Sequence, residues 1–216
     1  PSGLSDPQVE FLATHFVGTQ KLTLNLSAPL RAVNPDFLVL HYKLAIWQSA
    51  PEVSYITDGS TWSNDYDEVT THESWFWHTE DGSRLASTVD GKLLMNLADD
   101  EFRTYWKEVL VEQAQAGEYD AVFFDSASPA LLQWEAQDPP EVRLQGTGAR
   151  DTAIDEWGGR TYIDVWNEWI GDLSAAMDAA KIPVIPNVGQ LITTWDTSDY
   201  GQTAGVFCES FAGRSW

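Results

Sequence analysis

Two patterns of apolar and polar positions alternate along the chain. Over residues 99–117 and again over 166–180, apolar side chains recur every three or four positions, which predicts two amphipathic helices. Short apolar runs follow directly at residues 119–125 and 182–187, and runs of this kind are typical of buried strands. This part of the chain is therefore predicted to alternate between helix and strand.

The same alternation extends toward both ends. Further helices are predicted at residues 5–14, 28–33 and 190–197, and further strands at 36–42, at 205–211 and within 16–26. Strands that alternate with helices form a parallel sheet with right-handed crossovers. Long polar segments follow the predicted strands, as the βα loops of a (β/α)8 TIM barrel do, and the glycine-rich phosphate loop of many doubly wound sheets does not occur. We therefore expect a single domain of barrel type over residues 1–216.

The charge balance excludes several classes of partner. The chain carries 33 acidic against 12 basic residues, a formal net charge of −21, and this field repels nucleic-acid phosphates and anionic lipid surfaces. No apolar run reaches the roughly 18 residues of a membrane span. Strongly acidic surfaces are typical of salt-adapted or secreted proteins. We expect a secreted or extracytoplasmic protein that binds neither nucleic acid nor membrane.

Two carboxylates lie at or inside apolar strands. Asp125 ends the strand predicted at 119–125, and alternation puts its side chain on the same face as Phe123. Glu209 lies inside the apolar run 205–211, where a charge is unfavourable unless it is paired or used. The structural alternatives are an Asx turn at Asp125 and a buried ion pair at Glu209. A pair of carboxylates at a barrel rim suits glycoside hydrolysis, in which one acid donates a proton and the other attacks or activates water.

Other catalytic chemistries find less support in the sequence. No G-x-S-x-G motif occurs, and alternation turns the single cysteine, Cys208, away from the face of Glu209. The four histidines form no H-E-x-x-H motif, so we expect no metal and no cofactor, although His72 and His78 lie together in an acidic segment. A metal-dependent hydrolase or lyase would require histidine and carboxylate ligands that converge on one point.

Aromatic and polar residues near the predicted βα loops are candidates for contacts with sugar. The chain has 11 tryptophans, and flat indole rings can stack on sugar faces. Trp75, Trp77 and Trp195 lie in or near such loops, and we expect Trp75 or Trp77 to line the same cleft as the acids. His41 and Asn187 end predicted strands and could hydrogen-bond substrate hydroxyls. Each of these residues could instead hold its own segment in place.

Four short segments resemble a known family. Residues 96–106, 119–125, 186–189 and 209–211 are similar to the hypothetical glycosyl-hydrolase-like barrels, which look like distant relatives of the endo-α-1,4-polygalactosaminidases. In that group an acid at the end of the fourth strand and a glutamate on the sixth are catalytic, and the resemblance assigns these roles to Asp125 and Glu209. The sequence departs from the group at Ala121 and Ser126, where glycine and asparagine are frequent, and both acids remain in place.

The resemblance also bears on the completeness of the barrel. It makes residues 119–125 the fourth strand and 205–211 the sixth. A full barrel usually takes about 250 residues, and no sequence remains here for two further strands. We therefore expect about six of the eight βα units, with an open edge after strand six that a partner segment or another chain covers.

These observations together predict a glycoside hydrolase. We expect Asp125 to be the nucleophile and Glu209, with the apolar Phe207 and Phe211 nearby, to be the acid/base catalyst. The resemblance favours retention of configuration. The alternative is a non-catalytic carbohydrate-binding barrel that keeps the fold and the aromatic residues. Two acids in one cleft would favour the enzyme, and a single accessible carboxylate would favour the binding protein.

Overall fold

The architecture is an α/β fold built on a parallel sheet. The computed structural model describes residues 3–20, 24–49, 65–78, 82–87, 91–127, 162–189 and 198–208. The helices are α1 (Asp6–His15), α2 (Leu24–Val33), α3 (Tyr66–Val69), α4 (Asp100–Ala116) and α5 (Tyr162–Ala179). The strands are β1 (Gly18–Gln20), β2 (Leu38–Leu44), β3 (Trp47–Gln48), β4 (Leu93–Leu94), β5 (Ala121–Asp125) and β6 (Val184–Pro186). The helix predicted at 190–197 lies outside the described residues.

Four strands form the main sheet in the order β1-β2-β5-β6, and each neighbouring pair is parallel. Beyond β6, Phe207 forms a parallel bridge with Asn187 and extends the sheet by one position. This arrangement confirms the predicted α/β class and the parallel sheet. The number of barrel units and the presence of an open edge stay predictions.

The place of β5 in the sheet corrects its predicted strand number. β2 pairs directly with β5, from Leu40 beside Ala121 to Leu44 beside Asp125. The two described strands between them along the chain, β3 and β4, pair with each other in a separate antiparallel sheet. Asp125 therefore ends the third strand of the described sheet and not the fourth. One strand, β6, separates β5 from Phe207, as expected for strands four and six.

Helix α4 begins and ends where its sequence signals predict. Asp99 caps the first turn, because its Oδ1 accepts a hydrogen bond from the Phe102 backbone N–H at 2.9 Å. Asp100 and Glu101 place negative charge at the positive end of the helix dipole, and Gly117 follows the last helical residue. None of the described helices is both long and apolar enough to cross a membrane.

The main core lies between the sheet and helices α4 and α5. Phe124 of β5 contacts Trp106 of α4 and Trp169 of α5, with ring centroids 4.9 and 5.6 Å apart. The two indoles also meet edge to face at 5.4 Å. Since side chains alternate along a strand, Phe123 and Asp125 point to the other side of the sheet, away from these helices.

A buried polar cluster joins β2 to α4. Gln113 Oε1 accepts a hydrogen bond from Lys43 Nζ at 3.1 Å and lies 3.2 Å from His41 Nε2. Burial lowers the pKa of Lys43 from its usual 10.5 to about 7. Burial, and then the neighbouring Lys43 charge, lowers the pKa of His41 to about 4. Both groups therefore release their protons more readily in the folded chain than in the unfolded chain.

Lys43→Met should stabilise the fold most below pH 7 and flatten its pH dependence. The unfolded chain keeps the Lys43 proton up to about pH 10.5, whereas the folded chain releases it near pH 7. The free energy of unfolding of the parent should therefore rise with pH between these values, by a few kcal/mol. Urea unfolding across this range measures the effect, and Lys107→Met controls for the same exchange at a partly exposed lysine of α4. Equal pH slopes in the parent and in Lys43→Met would contradict the assignment.

Candidate active site

The carboxyl-terminal ends of neighbouring strands bring Tyr42, Asp125 and Asn187 together. Tyr42 lies near the end of β2, Asp125 is the last residue of β5, and Asn187 directly follows β6. Because these strands are parallel and in register, their carboxyl ends lie at the same edge of the sheet. Parallel α/β folds bind ligands at this edge. Tyr42 is a member of the group that the sequence analysis did not single out.

Both carboxylate oxygens of Asp125 accept hydrogen bonds from neighbouring strands. Asn187 Nδ2 donates to Oδ1 at 2.8 Å, and the Tyr42 hydroxyl donates to Oδ2. Hydrogen bonds to an ionised carboxylate are stronger than those between neutral groups. The carboxylate of Asp125 is thus held on both sides in one orientation, on a strand that is itself paired on both sides.

The chain turns sharply directly after Asp125. Ser126 has a φ of 54°, in the left-handed region that residues other than glycine rarely adopt. Backbone hydrogen bonds fix the turn: the Ala45 N–H donates to the Asp125 carbonyl and the Ala127 N–H to the Asn187 carbonyl, both at 2.9 Å. Unusual backbone conformations of this kind cluster at functional sites.

An aromatic row lies on the same face of the sheet as Asp125. It consists of Tyr42, Phe123 and Phe207, which we call the inner aromatic row. Tyr42 and Phe123 stack with ring centroids 6.0 Å apart, and Phe123 meets Phe207 edge to face at 5.4 Å. The first two rings are buried, whereas Phe207 is 46% exposed. The row gives Asp125 an apolar surround on its own face of the sheet, with the Phe207 end reachable from solvent.

His41 lies on the opposite face of the sheet, which corrects its predicted role. Its side chain is 2% exposed, contacts Gln113 of α4 and stacks on Tyr119 with ring centroids 4.7 Å apart. β2 runs two residues past its predicted end, and its register with β5 places Tyr42, and not His41, on the face of Asp125 near the strand end. His41 is therefore part of the core under α4 rather than a substrate contact.

Trp75 and Trp77 are also core residues, so the expectation that one of them lines the cleft is not met. They are 4% and 3% exposed and belong to the main core. Trp75 stacks on His72 with centroids 3.8 Å apart and contacts Tyr105 of α4 at 4.9 Å. The Trp77 backbone N–H donates to the Leu94 carbonyl at 3.0 Å, which ties this segment to β4. Both indoles anchor the connection between β2 and α4.

A charged cluster holds the same connection together. Arg84 Nε donates to Glu73 Oε1 at 2.9 Å, and His78 Nε2 lies 2.7 Å from the same oxygen. Arg84 also donates to Thr70 Oγ1 at 2.9 Å and lies over the ring of Phe76. Hydrogen bonds from Arg84 and then from His78 lower the pKa of Glu73 to about 2.

Within the part of the chain that the structure describes, no three His, Cys, Asp or Glu side chains are arranged to hold a metal.

Two predicted site residues, Glu209 and Trp195, lie outside the described residues. The described position next to Glu209 along the same predicted strand face is Phe207. Its backbone is tied to the end of β6, because the Phe207 N–H donates to the Pro186 carbonyl at 2.8 Å and the Val188 N–H donates to the Phe207 carbonyl at 2.9 Å. The distance between the two proposed acids stays a prediction.

The fold and the site define an α/β protein with a carboxylate at the carboxyl edge of a parallel sheet. The family comparison agrees with this class. The sequence profile of hypothetical glycosyl hydrolase family 15 matches residues 31–215, and the chain belongs to this family. No curated protein sequence matches the chain.

The solved structures that the chain matches include several glycoside hydrolases. A variant of the α-galactosidase AgaA from Geobacillus stearothermophilus, in complex with 1-deoxygalactonojirimycin, has a TM-score of 0.51 at 11% identity over 85% of this chain and 21% of that chain. The glycoside hydrolase domain of PelA from Pseudomonas aeruginosa has a TM-score of 0.49 at 10% identity over 84% of this chain and 55% of that chain. Ega3 from Aspergillus fumigatus, in complex with galactosamine, has a TM-score of 0.44 at 13% identity, over 83% and 53%. The chain thus spans about half of the PelA and Ega3 chains.

Trp75→Ala should destabilise the fold and should not act directly on sugar binding. Loss of a buried indole lowers the free energy of unfolding by about 3–5 kcal/mol. Urea unfolding measures this loss, and Phe207→Ala, which removes a ring that is 46% exposed, is a control with a smaller expected loss. A Trp75→Ala chain with the parental unfolding midpoint and weakened glycan binding would restore the original assignment to the cleft.

Proposed function

We propose that the chain hydrolyses glycosidic bonds in a polysaccharide or oligosaccharide, with Asp125 and Glu209 as the catalytic carboxylates. The observation that carries this proposal is the position of Asp125. It ends a parallel strand at the carboxyl edge of the sheet, with hydrogen-bond donors on both oxygens, in a chain of a glycosyl hydrolase family. Enzymes built on parallel α/β barrels carry their catalytic groups at this edge.

The proposed catalytic domain is a single, incomplete (β/α) barrel of residues 1–216. Support comes from the sequential parallel order of β1, β2, β5 and β6, from the further bridge at Phe207, and from the similarity in fold to AgaA. In a barrel of this order, Glu209 belongs to the strand two positions from that of Asp125. Side chains that lean inward from such strands can reach one sugar ring between them.

The proposed mechanism retains the configuration at the anomeric carbon. Asp125 attacks this carbon while Glu209 protonates the glycosidic oxygen, so the bond between that carbon and that oxygen breaks and a glycosyl ester of Asp125 forms. Glu209 then takes a proton from water, which attacks the same carbon and releases Asp125 as a carboxylate. The hydrogen bonds from Tyr42 and Asn187 support this assignment, because they hold the carboxylate of Asp125 in one orientation at the edge where a sugar would enter.

The first substrates to test are α-1,4-linked galactosamine oligosaccharides. They follow from the resemblance to the endo-α-1,4-polygalactosaminidases. Unacetylated amino sugars carry positive charge near neutral pH, and a chain of net charge −21 attracts such a polymer at low ionic strength. Trp195 stays a proposed substrate contact, and Asn187 is proposed to contact substrate while it holds Asp125. Polymeric substrates of this kind fit the proposed secreted or extracytoplasmic location.

Asp125→Asn and Glu209→Gln should each lower the hydrolysis rate by about 10²–10⁴-fold or more, because each removes a group that transfers a proton or attacks carbon. Reducing-end release from galactosamine oligosaccharides, and then from a panel of other polysaccharides, measures the rate. Asp178→Asn, an exposed aspartate of α5, and Glu112→Gln, an exposed glutamate of α4, are the matched controls.

The results of this experiment test the role of each acid and distinguish an enzyme from a binding protein. A parental rate in Asp125→Asn or Glu209→Gln would contradict the assignment of that acid. Binding of a glycan by the parent with no hydrolysis of any member of the panel would identify the alternative, a non-catalytic carbohydrate-binding barrel.

The first product formed should have the same anomeric configuration as the cleaved bond. Retention follows if the two carboxylates lie about 5–5.5 Å apart, whereas a gap of about 6.5–9.5 Å admits a water and gives inversion. Proton NMR of the anomeric signal during early turnover distinguishes the two outcomes before mutarotation mixes them. An inverted first product would remove the nucleophile role from Asp125 and leave it as a general base.

A further inference from the structure

We infer that Tyr42 is a positioning residue for the proposed reaction and acts through Asp125. The inference rests on the proposed function, because it concerns the same carboxylate. Tyr42 donates its hydroxyl hydrogen to Asp125 Oδ2, while Asn187 Nδ2 donates to Oδ1 at 2.8 Å. With one donor on each oxygen, from strands on either side, rotation of the carboxylate about its bond to the chain breaks at least one hydrogen bond.

Packing fixes the Tyr42 hydroxyl itself. The ring is 7% exposed and stacks on Phe123, with an angle of 20° between the ring planes. Tyr42 and Phe123 are register partners in β2 and β5, one alternation before the Leu44–Asp125 pair. A tyrosine side chain that leans along its strand therefore reaches the next pair of the same face, where the carboxylate lies. Two paired strands and a ring contact thus set the position of the hydroxyl.

The position of the carboxylate decides the rate of an attack on carbon. A nucleophile or base must lie within about 3–3.5 Å of the reacting atom and in line with it, and a misplacement of about 1 Å can lower a rate by about 10²-fold. Phenylalanine at position 42 would keep the ring and its stacking and would remove the hydrogen bond to Oδ2. It should therefore leave sugar binding nearly intact and act on the chemical step.

The test compares Tyr42→Phe with Tyr119→Phe. Tyr119 is buried to the same extent, 7% exposed, but it packs against His41 on the opposite face of the sheet. Tyr42→Phe should lower kcat about 10- to 100-fold with KM nearly unchanged, as expected for loss of a hydrogen bond to a charged group. Tyr119→Phe should keep the parental kcat. The substrate is the galactosamine oligosaccharide, or whichever polysaccharide of the panel the parent cleaves.

Asp125→Asn, measured in parallel, separates the two hypotheses. If Asp125→Asn is inactive while Tyr42→Phe keeps the parental kcat, the positioning role is wrong and the proposed hydrolase stands. If Tyr42→Phe raises KM and leaves kcat unchanged, Tyr42 binds substrate and does not position the carboxylate. If Asp125→Asn turns over at the parental rate, the site itself is wrong and the inference falls with it.

Unfolding in urea gives a second measurement that needs no substrate. Tyr42→Phe, Asp125→Ala and the double variant form a cycle in which each single change removes the hydrogen bond. The effects on the free energy of unfolding should be non-additive, because the second change finds the bond already lost. Additive effects would show that the hydroxyl and the carboxylate are not coupled, and would overturn the inference.

Discussion

The direct parallel pairing of β2 with β5 is the constraint on which the rest of the structure depends. It places Tyr42 beside Phe123 and Leu44 beside Asp125, and the pairing of β5 with β6 then brings Asn187 to the other side of the same carboxylate. Because side chains alternate along a strand, a slip of one residue would turn Tyr42 toward the helices and His41 toward Asp125. The register therefore decides which polar groups belong to the candidate site and which belong to the core.

The two faces of the sheet bury polar groups in different ways. Under α4, Lys43 and His41 share the side-chain oxygen of Gln113. Burial lowers both pKa values, which favours the neutral forms of the two side chains. On the other face, Asp125 is only partly buried and accepts hydrogen bonds on both oxygens. The cluster under α4 joins this helix to β2 while its side chains are neutral. The arrangement around Asp125 holds a carboxylate at an edge that ligands can reach, which is the requirement of glycoside hydrolysis.

Some aromatic residues pack the core and others lie beside the candidate site, and composition does not distinguish the two groups. Trp106 and Trp169 form the core between sheet and helices, and Trp75 packs the connection between β2 and α4 against the first turns of that helix. In the described part of this connection the regular elements β3, α3 and β4 are short, and buried rings and the contacts of Arg84 with Glu73 hold them together. Packing therefore accounts for the six tryptophans that the structure describes, all of which are buried: Trp47, Trp75, Trp77, Trp106, Trp166 and Trp169.

The sequence by itself determined the main helices and strands, because local rules set them: Asp99 and Gly117 bound α4, the apolar run before Asp125 forms β5, and alternation puts Phe123 and Asp125 on one face. It also identified Asp125 and Asn187 as strand-end residues. Only the tertiary structure decided that Tyr42 takes the place expected of His41. Both faces of β2 carry apolar residues, so its periodicity does not show which face meets the helices. The hydrogen-bonded register with β5 decides which face this is. The same holds for Trp75 and Trp77, since an indole in a long connection is equally compatible with a cleft and with a core until its neighbours are known.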